Sequence, residues 1–208
     1  ATFVELISAL DVLITTQHLN PATTFFWIDI FSLSQHMAHQ NQLDENDDVE
    51  VKTRDAIKNL DCFVLVIGSW NSPFALSRTW CLWELLCALS AKRQIEVCMP
   101  GKSLHDLHDA LLNVFPAVAS SLTTIDYKNS KASKISVHQK IMIAIDNVGE
   151  RRATRAMEKA LRNWLVSTSR QVLQDLLHNN VISPKSRDKK RKGHDNGASK
   201  SEKKSQKE

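Results

Sequence analysis

Phe3, Ile7, Leu10 and Ile14, joined by Leu6 and Leu13, recur at helical spacing and predict an amphipathic helix capped by Thr2. Asn20-Pro21 ends it, and Phe25-Phe-Trp-Ile-Asp-Ile-Phe31 then reads as a strand. Residues 32–48 are polar and finish in the acidic cluster Asp44, Glu45, Asp47 and Asp48, which predicts a long loop or short helix. A helix over about Val49–Leu60 leads into Cys62-Phe-Val-Leu-Val-Ile67, a continuous apolar run of the kind buried on both faces of a parallel sheet. A loop with Gly68, Ser69, Asn71, Ser72 and Pro73 follows, then a tryptophan-rich helix ending near Lys92-Arg93. Ile95–Met99 reads as a further strand stopped by Pro100-Gly101, Ser103–Leu112 as a helix, and Leu122–Asp126 as a short last strand. Strands alternating with helices predict an α/β fold with a parallel sheet.

Beyond that sheet, Ile135, Ile141, Ile145 and Val148 form one helical stripe closed by Gly149. Met157, Leu161, Trp164, Leu165, Val172 and Leu176 form another, on a helix from about Glu150 to Leu177, with Trp164 as its packing anchor. Ser183-Pro184 marks the end of order, and the Lys-rich remainder reads as a disordered linker. The expected organisation is an α/β domain over residues 1–130, a helical extension over 131–182 and a basic tail over 183–208.

The charge sharpens this division. The formal net charge is +4, but residues 183–208 contribute +6 and leave −2 for the body, so a whole-chain argument for nucleic-acid binding fails. Lys189-Lys-Arg-Lys192 reads either as a localisation-like cluster or as a solvated linker, and no specific nucleic acid is expected. The longest apolar runs are strand-sized, which predicts no membrane span. Ala1 opens directly into the first helix with no basic leader and no initiating Met, so the chain is read as a fragment or a trimmed chain without a signal peptide. Cys62, Cys81, Cys87 and Cys98 lack paired metal-ligand spacing and read as free thiols of a reducing, cytoplasmic compartment. His36/His39 and His105/His108 have i, i+3 spacing but no matching third ligand, so no metal is expected. Five glycines supply no phosphate-cradling loop.

Two carboxylates stand out. Asp29 lies within an apolar strand and needs a partner, structural or at a ligand. Glu84 sits one to two turns into the helix after the Cys62–Ile67 strand, facing the crevice at the strands' carboxyl ends where open α/β sheets bind ligands. The plain alternative is a solvated carboxylate favoured by the helix dipole.

The segment Ser69–Leu85, which holds the run Ser77-Arg-Thr-Trp-Cys-Leu-Trp-Glu-Leu85, resembles the third-strand and following-helix segment of TIR (Toll/interleukin-1 receptor) domains, in which a Ser…Ser-Arg-Trp-Cys-Leu-x-Glu-Leu wording is common among plant members. Thr2–Leu10 is similar to the family's first helix and Phe25–Phe31 to its second strand, so the resemblance covers roughly residues 2–126. Phe-Trp-Ile-Asp and Trp-Cys-Leu-Trp-Glu also resemble TIR-like domains that precede helical repeats in large protist and algal proteins. The resemblance implies a flavodoxin-like sheet lacking its first strand, which would lie upstream of Ala1. It also implies an intracellular signalling module that self-associates or meets other TIR-like domains and hydrolyses NAD at the nicotinamide–ribose bond on assembly. Glu84 matches the family's catalytic glutamate. NAD would be the substrate, with no cofactor and no metal.

Within that resemblance Trp70 or Trp80 is the candidate to stack on a nicotinamide or adenine ring, Trp70 favoured by its place in a loop and Trp83 assigned to packing. Ser69, Asp29 and Ser32 are candidate polar contacts, and Ser34, Gln35 and His36 could reach a ribose or a partner domain. Residues 32–48 depart from the family by carrying an acidic cluster in place of its Pro-Gly self-association wording, and the Ser69-to-Trp80 loop is longer than in plant members. The alternative is a catalytically silent interaction domain of a larger protein. A nucleoside-processing pocket on the same fold is a third reading.

Overall fold

The computed structural model describes residues 2–28 and 49–182. Helix α1 (Phe3–Thr16) is followed by α2 (Val49–Ile57), β1 (Cys62–Val66), α3 (Thr79–Ser90), β2 (Gln94–Cys98), α4 (Gly101–Asn113), α5 (Phe115–Thr123), α6 (Ile135–Val148) and α7 (Glu150–Ile182). A 3-10 turn, Phe74–Ser77, stands before α3.

The start of α1 follows from local chemistry. The Thr2 hydroxyl accepts from the Glu5 amide at 3.3 Å, and the Thr2 amide donates to Glu5 Oε2 at 2.6 Å, a reciprocal capping box. Its inner face differs from the expected stripe. Ala9, Leu10 and Leu13 are buried, whereas Phe3 is 62% and Ile7 41% exposed. Ala9 at the contact lets the helix approach the sheet closely, which turns the first aromatic outward.

β1 and β2 pair in parallel, from Cys62 opposite Gln94 to Val66 opposite Cys98. The Ile67 amide extends the ladder to the Cys98 carbonyl at 2.9 Å. Alternation sends Leu65, Ile67 and Met99 into the main core, with Phe63, Ile95 and Val97 packed against it. Val64, Val66 and Cys98 face α1 instead, together with Phe26. The sheet is therefore covered on both faces, as the continuous apolar runs require.

Helices α6 and α7 pack into the same core as α3 and α5. Ala153, Met157, Leu161, Leu165 and Val172 form the buried stripe of α7, and Trp164 packs beside it. Leu176, expected on that stripe, is 39% exposed. Gly149 joins the two helices at φ 93°, a left-handed backbone that favours glycine.

One expected strand is replaced by helix, and the described part of another forms no strand. Leu122–Asp126 begins inside α5, where Pro116 opens the helix and Val118 and Leu122, four residues apart, bury one side; residues 124–127 are irregular. Residues 25–28 form no ladder, and Phe25 is 90% exposed, while the rest of the expected Phe25–Phe31 strand lies outside the described residues. The Asn20 side chain and carbonyl instead organise a turn, accepting from the Ala22 amide at 3.0 Å and the Thr24 hydroxyl at 2.9 Å. Among the described residues the sheet thus has two strands. The acidic cluster of residues 44–48 and the basic tail also lie outside the described residues.

Candidate functional site around Glu84

The chain leaves β1 through the loop at residues 68–73, makes the 3-10 turn and enters α3. Arg78 caps α3 in an extended conformation without a side-chain hydrogen bond to the helix. A distant segment completes the helix start. The Thr79 amide donates to the Lys131 carbonyl at 3.0 Å, and the Lys131 amide donates to the Ser77 carbonyl at 2.7 Å. One of the orphan donors of the helix start is thereby satisfied by backbone.

Beside it, the Thr79 and Ser130 hydroxyls lie 2.8 Å apart, both buried. Ser130 donates its proton to the Tyr127 carbonyl, so Thr79 must be the donor to Ser130. Residues 127–131 therefore strap down the helix that carries Glu84.

Glu84 lies in the second turn of α3 and is half-buried. The Trp80 indole N–H donates to Glu84 Oε1 at 3.0 Å, one helical turn away. With its N–H engaged and its ring packed against the main core, Trp80 orients the carboxylate. Trp83 is buried, and its indole donates to the Glu50 carbonyl at 3.2 Å, which ties α3 to α2. Packing is its role, as expected.

Trp70 and Ser69 stand elsewhere along the loop. The Trp70 carbonyl accepts from Ser121 of α5 at 2.7 Å, and its half-buried side chain packs against the main core. Ser69 donates to Asn71 Oδ1 at 2.7 Å. Neither has a recorded contact with Glu84. Asp29 and Ser32, with Ser34, Gln35 and His36, lie outside the described residues.

Two grooves border α3. One of about 410 Å³ lies between α3, β2 and α7, and one of about 270 Å³ lies between α2, α3 and α6. Neither is lined by Glu84, Trp80, Trp70 or Ser69.

Three of the four thiols are held in the protonated form. Burial pushes Cys87 and Cys98 up to about 12, with the Glu84 charge adding to the effect at Cys87, and burial also raises Cys62. None of the four cysteines is in a disulfide. Among the described residues no cluster of His, Cys, Asp and Glu could hold a metal ion. His105 Nδ1 instead lies 3.5 Å from Asp109 on its own helix.

The shared helical face of Trp80 and Glu84 is readable from their spacing. The strap at residues 127–131 is not, because nothing periodic in Tyr127-Lys-Asn-Ser-Lys131 points to a partner some fifty residues away. No family profile, curated protein or solved structure matches this chain.

Proposed function

We propose that the chain is a TIR-type signalling module of the cytoplasm, built on a flavodoxin-like sheet, that hydrolyses NAD when neighbouring copies or other TIR-like domains assemble with it. The observation that carries this reading is the half-buried Glu84 carboxylate, held at 3.0 Å by the Trp80 indole on the helix that follows a parallel strand. Breaking the nicotinamide–ribose bond builds oxocarbenium character on the ribose, which a fixed carboxylate stabilises. Nicotinamide leaves as a neutral base and carries away the electron pair of the broken bond. Water then adds to the ribose carbon and releases a proton, giving ADP-ribose. The leaving group needs no general acid, so one carboxylate suffices.

A second reading, a catalytically silent assembly module, is favoured by a separate observation: neither groove bordering α3 is lined by Glu84. The two readings part at turnover. Nicotinamide release would be measured on the full-length protein displayed densely enough to assemble. The enzyme reading expects release that falls about a hundredfold or more in Glu84→Gln with assembly unchanged. Absence of release from folded, assembled protein would leave the silent module, and release insensitive to Glu84→Gln would remove Glu84 from the chemistry.

A further inference from the structure

In a parallel ladder each residue directs both its N–H and its C=O to the same side, and successive residues alternate. The Ile67-to-Cys98 hydrogen bond fixes the phase, so Gln94, Glu96 and Cys98 address β1. Ile95 and Val97 direct their peptide groups outward, where they have no backbone partner among the described residues. Along this edge runs the groove of about 410 Å³, walled by Leu89 of α3 and by Leu161 and Trp164 of α7. Ile95 and Val97 are only half-buried beside it.

At the start of the strand, Arg93 donates to the Ala91 carbonyl at 3.0 Å and the Leu60 carbonyl at 3.2 Å, and among the described residues no carboxylate is ion-paired with it. A row of peptide donors and acceptors, a trough with a largely apolar wall that Glu96, Asn163 and Ser167 also border, and a guanidinium without an ion-pair partner among the described residues thus share one edge.

We propose that this edge binds an extended peptide that adds a third strand beside β2, placing alternate apolar side chains in the groove and a carboxylate against Arg93. Outward peptide groups two residues apart match another extended backbone. The apolar wall selects Val- or Ile-like residues at every second position, and the guanidinium favours an acidic residue over a neutral one. A second copy pairing antiparallel through its own β2 would bring both α7 helices to the same face of the joined sheet, where each competes for the space beside the groove, whereas a single extended peptide brings no helix. The peptide is therefore the occupant.

The test uses the full-length protein and the capped heptapeptide Val-Thr-Val-Thr-Val-Thr-Asp, whose Asp shares the face of its valines. Hydrogen exchange at the Ile95 and Val97 amides should slow about tenfold or more at saturating peptide. N-methylation of alternate peptide nitrogens should abolish the effect. Exchanging the terminal Asp for Asn should weaken binding about tenfold, a comparison made entirely on unaltered protein. Unchanged exchange at millimolar peptide, or equal protection by the N-methylated peptide, would overturn the proposal. So would protection that appears without peptide and rises with protein concentration, because the occupant would then be a second copy.

Discussion

Truncating Leu161 to Ala tests whether the long last helix is part of the α/β core or an appendage to it. Leu161 is 1% exposed on the buried stripe of α7 and belongs to the cluster that contains Leu65, Leu85 and Met99. Removing three methylene equivalents forfeits about 2–2.5 kcal/mol of transfer free energy. A sealed cavity would raise the cost of a Leu-to-Ala change towards about 5 kcal/mol. Leu161 also borders the groove beside β2, so the space it vacates opens onto an existing recess and the cavity term stays small. The expected loss is about 2–3 kcal/mol, a large share of the roughly 5–15 kcal/mol that holds a domain together.

Urea unfolding would be followed by far-ultraviolet dichroism and by tryptophan fluorescence. Both midpoints should fall together with the slope unchanged, because Trp164 and the helices of the sheet layer share one core. Val166→Ala, at a position 55% exposed, should stay within about 0.5 kcal/mol of the parent. A fluorescence transition unmoved by Leu161→Ala, or two separate transitions, would refute the single core.

Trp80→Phe keeps the packed ring but removes the donor to Glu84, and in the assembled protein it should lower kcat for nicotinamide release more than it raises KM; an unchanged kcat would deny Trp80 its positioning role. Thr79→Val removes a buried hydroxyl from the strap and should cost about 1–2 kcal/mol in urea unfolding, whereas Thr79→Val with Ser130→Ala should cost less than the two single changes added. Burial holds His108 below its ordinary 6.5, with Asp175 and Asp109 opposing and His105 adding to the shift. The folded state therefore favours the neutral ring, and stability is full above 6.5 and falls as pH drops through that value towards the lower folded one. His108→Gln should flatten the thermal midpoint between pH 7 and pH 5, and an unaltered slope would show that His108 does not set it. Thr2→Ala should lower helix stability by about 1 kcal/mol, read from the thermal midpoint, through loss of the capping box.

The parts of the fold legible in the sequence are those written in short range. The Thr2 cap needs only Glu5, the α7 stripe repeats every turn, and the β1 run announces burial on both faces. Trp80 and Glu84 share a helical face by spacing alone, although which of two roles Trp80 takes depends on where its indole N–H goes. What stayed illegible is long-range. Lys131 closes the start of α3 through backbone groups that carry no residue identity, and Ser121 holds the Trp70 carbonyl from another helix. Leu122 misled because an apolar residue followed by Thr-Thr-Ile reads as a strand until Val118, one turn earlier, is recognised as its partner.

The two departures from the expected sheet share a physical cause. Hydrophobic periodicity records which face of an element is buried and is silent about which backbone lies alongside it. Val64 and Val66 face α1 while Leu65 and Ile67 face the main core, so β1 reads as a central strand whether or not a neighbour pairs with its outer edge. The phase of the ladder leaves the peptide groups of Cys62, Val64 and Val66 outward on that edge, as it leaves those of Ile95 and Val97 outward on β2. Counting apolar runs therefore predicts a full sheet, whereas the described one is held chiefly by the helices on its two faces. A sheet stabilised through its faces leaves edge peptide groups without partners among the described residues, which is the chemistry that both an assembling module and a peptide-binding edge require.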